Sequence, residues 1–403
     1  MFTSPQRPSQ RARAARFSRR PPSFAATLVA LAVVFAVAWM LFLRSDEPVT
    51  APLVDGVQGT YQWRSTAAGG ETGVDGEFSA VRSGDAGGSA RTPAGPGAPG
   101  LVPVRSAYAT ATRTESTCAG VGARLRCRRT VGQWPPVWRV ATRSPLDYQG
   151  LAAIVRTAVE DGDDTVGIKP GKDADRAVWR ASMRLDRQVD VVVDQETGLV
   201  TWYSSGGETF TADIDWDSPP QTAAAHDADA AAGAGAEVVT SAPQYAATPV
   251  DAGRDAGYDV LVSDLAPDGY ELRAVATVPA GSLSRVDDGP WDLPDDSQGT
   301  GVLELYTRGL SLFTVEQVGS ATMERLSGMP AQQEAAANGR LSVRETTLGY
   351  GAFAGETALT WYQESGPSLF VVGERRAVFV TGGLTRQELL AFAEGLKPVP
   401  RAQ

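Results

Sequence analysis

Val191 to Ser205 reads VVVDQETGLVTWYSS, an apolar run, a polar break at Asp194-Gln195-Glu196-Thr197-Gly198, and a second run ending in Trp202 and Tyr203. β-Branched and aromatic residues on either side of turn formers describe two antiparallel strands joined by a short turn. Working outward, Val189 to Val193 completes the first strand, and Ala177 to Leu185 precedes it. Leu199 to Tyr203 is the second strand, and Thr209 to Ile214 follows. Further toward the N-terminus, Trp138 to Thr142, Tyr108 to Ser116, Glu77 to Arg82 and Val57 to Arg64 carry the same alternation. In the last of these Val57, Gly59, Tyr61 and Trp63 share a face. Runs of period two separated by turn residues predict an antiparallel meander. One helix interrupts it, Pro145 to Glu160, with Leu146, Ile154 and Ala158 on one side and Gly162 just past its end.

Two stretches lack any such pattern. Ser83 to Gly100 (SGDAGGSARTPAGPGAPG) reads as a flexible loop within the first domain. Thr222 to Ala236, rich in Ala, Gly and Asp, marks a boundary, so residues 51–220 form a β-rich domain, 221–244 a linker and 245–403 a small C-terminal domain. In the latter, strands are expected at Glu271 to Val278, Gly301 to Thr307, Leu312 to Gln317, Arg340 to Thr346, Thr357 to Glu364, Leu369 to Val372 and Arg376 to Thr381. Gly373-Glu374-Arg375 closes the final hairpin. The closing helix has Thr385 as its cap, Glu388 three residues on, a stripe of Leu389, Phe392, Ala393 and Leu396, and a stop at Pro398. A sheet with an apolar helix against it is α+β architecture. The length of 403 residues agrees with about two domains.

Phe24 to Leu43 (FAATLVALAVVFAVAWMLFL) is twenty residues without charge or proline. At about 1.5 Å per residue it spans roughly 30 Å, the thickness of a bilayer core. Six arginines (Arg7, Arg11, Arg13, Arg16, Arg19, Arg20) precede it in a basic tail, residues 1–23, and Asp46 and Glu47 follow, which orients the N-terminus inward. The run is longer than the roughly 7–15 residues of a secretory signal, and it ends in bulky residues rather than a small-residue cleavage site. A signal-anchor helix over 24–43 is therefore expected, with the bulk of the chain outside the cytoplasm. The alternatives are a signal cut near Ala36 or Ala38, or a buried core helix. Apolar residues make up 42% of the chain, enough for real cores. Net charge is −10, and without those six arginines and Arg44 the outer portion has 30 basic residues against 47 acidic, about −17. Such a surface disfavours nucleic acid, whose affinity comes largely from neutralised phosphates.

Cys118 and Cys127 are the only cysteines, with CAGVGARLRC spanning them. Outside the cytoplasm two nearby thiols usually oxidise, and a disulfide here would clamp a hairpin; two unpaired thiols are the alternative. No metal or cofactor is expected. The one histidine, His226, lies in AAAHDADAAAGAGA, where nothing holds an imidazole in place for Ser-His-Asp or Cys-His chemistry or for zinc. Phosphate-loop, GxSxG and HExxH motifs are absent. The acidic runs Glu160-Asp161-Gly162-Asp163-Asp164 and Asp295-Asp296 lie among Gly and Pro and read as solvated turns, not as the paired acids of a hydrolase.

VVVDQETGLVTWYSS, preceded by Gly59 to Trp63 (GTYQW) and followed by Phe210 to Pro220 (FTADIDWDSPP), resembles the first domain of periplasmic sigma-factor regulators of the RseB/MucB type. That domain shares the fold of the lipoprotein carrier LolA, a curved antiparallel half-barrel. GYDVLVSDLAPDGYEL, VLELYTRGLSLFTVEQ and FVVGERRAVFVTGGLTRQELLAFAEGLKP resemble the family's small C-terminal sheet-plus-helix domain, here in a membrane-anchored bacterial form. The resemblance implies a non-enzymatic binding protein that senses envelope state and engages a partner membrane protein such as an anti-sigma factor. A tethered carrier or sensor of acyl lipid or lipoprotein, and a structural envelope protein, are the other readings. Tyr61, Trp63, Trp179, Trp202 and Tyr203 are candidates for lining the half-barrel's apolar concavity, against the plainer reading of aromatic core.

Overall fold

Alternation becomes strand along most of the chain. β1 (Gly56–Ser65), β2 (Thr72–Ser83), β3 (Ala86–Pro93), β4 (Val104–Ala109), β5 (Thr114–Val121) and β6 (Arg124–Val131) form one meander. β7 (Gly167–Asp173), β8 (Arg176–Arg184), β9 (Gln188–Asp194), β10 (Val200–Ser205) and β11 (Glu208–Ile214) form another. The two join where β1 pairs antiparallel with β11, and β12 (Glu237–Thr240) runs parallel to β6. The result is an open sheet of 12 strands with β12 and β7 at its edges. A second open sheet of 8 strands has the order β13 (Gln244–Ala246), β15 (Glu271–Pro279), β16 (Thr300–Arg308), β17 (Ser311–Gly319), β21 (Arg376–Gly382), β20 (Gly366–Val372), β19 (Thr357–Gln363) and β18 (Leu341–Thr347). β14 (Val260–Ser263) and β22 (Leu396–Val399) pair with each other. Three α-helices are described: α1 (Gln149–Asp161), α2 (Pro249–Ala256) and α3 (Arg386–Glu394).

These assignments come from a computed structural model that describes residues 55–66, 72–83, 86–93, 104–109, 114–121, 124–131, 145–217, 237–240, 244–285, 299–319 and 341–401. The basic tail, the apolar stretch 24–43, His226 and the strand expected at Trp138 to Thr142 lie outside the described residues. Among the described residues no helix is long and apolar enough to cross a membrane.

The stretch Val191 to Ser205 is β9, a turn and β10, and Asp194 holds the turn shut. Its carboxylate accepts two hydrogen bonds from Arg176, at 2.6 and 2.9 Å, and two more from Thr197, through the backbone N–H at 2.8 Å and the hydroxyl at 2.7 Å. Burial works to raise the Asp194 pKa, but these donors outweigh it and hold the group below the ordinary carboxylate value. Gly198 takes a positive φ of 64° within the same turn, where a side chain would be strained.

Helix α1 follows a 3-10 turn at Pro145–Tyr148, which replaces the first turn expected of the helix, and ends at Gly162 in the left-handed conformation. Helix α3 has the expected capping box. The Thr385 backbone N–H donates to Glu388 at 2.7 Å, and the Thr385 hydroxyl accepts from the Glu388 backbone N–H. Its stripe is buried: Phe392 meets the rings of Tyr306 at 5.3 Å and Phe313 at 5.1 Å, edge to face. The helix ends at Glu394, before Pro398, so Leu396 of the expected stripe lies instead on β22, which pairs with β14.

Other expectations give way to tertiary pairing. Ser83 to Gly100 is not all loop: Ala86–Pro93 is β3, hydrogen-bonded between β2 and β4 despite its Gly and Ala content. Tyr108 to Ser116 divides between β4 and β5. Residues 237–240 and 244, within the stretch read as linker, belong to strands.

Candidate functional site

Register defines the face of the first sheet on which α1 lies. Trp63 stands opposite Phe210, Phe210 opposite Tyr203, Tyr203 opposite Val191 and Val191 opposite Ala181, so this row shares one face across five strands. Tyr61 opposite Ala212 lies two residues along on the same face. Tyr148, just before α1, stacks on Tyr203 with ring centres 4.5 Å apart and lies 5.1 Å from Phe210. Leu151, Ile154, Val155 and Ala158 of α1 complete a core with these residues. Full burial of Ile154 and Val155 is worth about 1.5–3 kcal/mol each.

Of the five aromatic residues expected to line a concavity, the structure brings four to this face. Tyr61 and Tyr203 are buried, and Trp63 and Trp179 pack at the core margin. Trp202 is not with them. It is the chain neighbour of Tyr203, and successive strand residues point to opposite faces, so its indole stands on the side away from α1.

The far side of α1 packs on the second sheet, and Tyr362 and Leu310 share its core. Gly150 touches the β19–β20 turn so closely that a Cβ would lie 2.3 Å from the Ser365 carbonyl carbon. Gln149 donates to the Leu310 carbonyl at 2.9 Å and Arg156 to the Gly383 carbonyl at 2.6 Å. The Arg386 backbone N–H donates to the Thr157 hydroxyl at 3.1 Å. These contacts make residues 51–403 one compact unit.

A charged cluster closes this seam at the C-terminal end of α1. Arg386 is 3% exposed and donates to Asp161 at 2.7 Å and to the Ser342 carbonyl at 2.8 Å, with its guanidinium 4.7 Å above the Tyr362 ring. Arg344 reaches Asp161 at 3.1 Å and Asp163 at 3.2 Å. Asp163 also accepts from the hydroxyls of Ser342, Thr165 and Tyr362. Burial works to raise the Asp163 pKa, but those donors prevail and hold it well below the usual carboxylate range. Burial raises Glu160. The run Glu160 to Asp164 is thus not a solvated turn throughout, since buried Asp163 and half-buried Asp161 pair with arginines of the second sheet and α3. Local sequence shows the acids but not partners some 180 to 225 residues away.

Cys118 stands opposite Cys127 in the antiparallel pairing of β5 with β6. Among the described residues no group of three or more His, Cys, Asp or Glu side chains is placed to hold a metal ion. The seam joins two sheets through one helix, with apolar contact at its centre and ion pairs at its end.

No protein-family model matches the chain. No curated protein matches it. Among solved structures, MucB is similar at 12% identity and a TM-score of 0.27, over 87% of this chain and 95% of that one. The MucA/MucB complex of Pseudomonas aeruginosa is similar at 14% identity and a TM-score of 0.27, over 88% and 97%. A Vibrio parahaemolyticus domain assigned to outer-membrane lipoprotein sorting is similar at 9% identity and a TM-score of 0.20, over 41% and 87%. Scores of this size assign no function to the chain.

Proposed function

We propose that this chain is a membrane-tethered, extracytoplasmic binding protein that works without catalysis and regulates a partner membrane protein, the outer segment of an anti-sigma factor being the partner type its family resemblance implies. The observation that carries this reading is one of order. The phrases that resemble the regulator family fall in sequence on β1, on β9 with β10, on β11, on β16 with β17, and on β20, β21 and α3, so they span both sheets. The arginine tail and the apolar stretch Phe24 to Leu43 support the tether and its orientation.

The seam argues against lipid carriage. Helix α1 covers the aromatic face that an acyl chain would need, and eight consecutive α1 residues, Leu151 to Ala158, are buried. A carrier would have to expel that helix first. Native mass spectrometry of the full chain, released from membranes under mild conditions, tests the reading. A co-purifying membrane protein in fixed ratio supports it. Co-purifying acyl lipid alone, or neither, overturns it in favour of a carrier or a structural role.

A further inference from the structure

The face of the first sheet opposite α1 carries a second row of side chains. Thr211 stands opposite Trp202, Trp202 opposite Val192, Val192 opposite Arg180, and Arg180 opposite Lys169, an unbroken line from β11 to β7. At about 4.8 Å between strands the line is roughly 19 Å long. Ser204, Asp190 and Ser182 form a parallel row two residues along. Between these rows lies an open groove of about 420 Å³, within the size range of small-ligand sites.

Its chemistry is specific. Trp202 is half-buried and covers the cross-strand neighbour Val192, which is buried although it faces outward. Arg180, Lys169, Ser182 and Thr211 are exposed around the indole. No ion pair among the described residues engages Lys169, Arg180 or Asp190, and neither the Trp202 indole N–H nor the Lys169 ammonium has a hydrogen-bond partner there. Two cations (Lys169, Arg180) and two anions (Asp173, Asp190) line the groove. A polyanion finds no excess of positive charge in it, and the apolar floor of Trp202 and Val192 is ringed by charged and hydroxyl side chains that an acyl chain would leave unpaired. An exposed extended peptide has no edge to extend, because β7 carries Pro170, Lys169 and Lys172, which blunt strand addition.

We infer that this groove binds a neutral glycan, with a sugar ring stacked by its C–H face on Trp202 and its hydroxyls shared among Asp190, Ser182, Thr211, Arg180 and Lys169. An indole offers a flat apolar platform beside a polar donor, and a pyranose offers a flat C–H face ringed by hydroxyls. The mixed donors and acceptors match hydroxyl groups, which both give and accept hydrogen bonds. This inference rests on the groove alone and is independent of the partner proposed above.

The test uses the full chain in a detergent without a sugar headgroup, titrated with chitotetraose and with cellotetraose by calorimetry, with saturation-transfer NMR on the same samples. Saturable binding of at least one tetrasaccharide is expected, weakened tenfold or more by Trp202→Thr and several-fold by Arg180→Ala. Trp216→Thr, which removes an outward indole already covered by Arg176 at 4.0 Å, should leave binding unchanged. Arg180 is exposed, so Arg180→Ala should keep the parent's melting temperature, whereas Trp202→Thr uncovers Val192 and should melt lower but still cooperatively, so that binding is compared on folded protein. Binding of neither sugar by the folded parent, or binding indifferent to both Trp202→Thr and Arg180→Ala, overturns the inference.

Discussion

Glu304 is fully buried in β16, with only neutral partners: Gln317 donates to one carboxylate oxygen at 3.0 Å and Tyr306 to the other at 3.2 Å. Gln317 in turn binds both the N–H and the C=O of Leu261, so the carboxylate anchors the residue that ties β14 to the sheet. Burial without a cation pushes the Glu304 pKa up to about 8, against the smaller pull of its two hydrogen bonds. The folded state therefore holds a proton that the unfolded chain releases near its ordinary value of 4.5. Below that value both states are protonated and the group has no effect on pH dependence. As pH rises toward 8 only the unfolded chain ionises, so stability falls, and above about 8 the loss is complete. A gap of this size corresponds to something on the order of 4–5 kcal/mol at about 1.36 kcal/mol per unit. Glu304→Gln keeps the shape, lets the amide oxygen accept from Gln317 and the amide N–H donate to Tyr306, and abolishes the titration. Urea unfolding of parent and variant at pH 5 and pH 8 reads the difference, in which all other ionisations cancel. The variant should nearly match the parent at pH 5 and exceed it by several kcal/mol at pH 8. An equal difference at both pH values would show that Glu304 is not a buried neutral acid.

Other predictions address the seam, the closing helix, the cysteines and the topology. Gly150→Ala ought to gain roughly 0.5–1 kcal/mol as a helix substitution, yet it should lose about 1–3 kcal/mol net by denaturant unfolding, because the added Cβ meets the Ser365–Gly366 backbone; an unchanged midpoint would separate α1 from the second sheet. Phe392→Ala should cost about 3–5 kcal/mol, whereas exposed Gln387→Ala should cost little, and equal midpoints would remove α3 from the core. Cys118 and Cys127 should be disulfide-bonded in the mature protein, since directly opposed antiparallel residues have Cα atoms about 4.5–5.5 Å apart, within the range a disulfide needs. Mass analysis after alkylation without reduction should find no alkyl groups, and two would exclude the bond. Protease added to intact spheroplasts should digest the C-terminal sheet, and full protection would reverse the orientation.

Strands with clean alternation and local turn chemistry were legible in the sequence. β1, β8 to β11, β15 to β17 and β19 to β21 announce themselves by period, and α3 by a capping box contained within four residues. β3 was not legible: AGGSARTP has no apolar face, and its strand geometry is held by the backbones of β2 and β4. β7, with Pro170 and two lysines, reads as loop until its pairing with β8 is known. Helix α2 is short and weakly apolar, though its Thr248 cap, Pro249 and Gly257 were signals in plain sight. For the site, four aromatics on the α1 face follow from alternation, and alternation equally separates Trp202 from Tyr203. The arginine–aspartate cluster was out of reach, because the chain brings Asp161 and Arg386 together only through the completed fold.

The most direct test of the regulatory account is a calorimetric titration of residues 45–403 with the isolated outer segments of the single-pass anti-sigma factors from the same cell. Partner regulation predicts saturable one-to-one binding to one of them, with a Kd of about 1 μM or tighter, near −8 kcal/mol. Absence of binding to every one of them, by a fragment that still melts cooperatively, would contradict it.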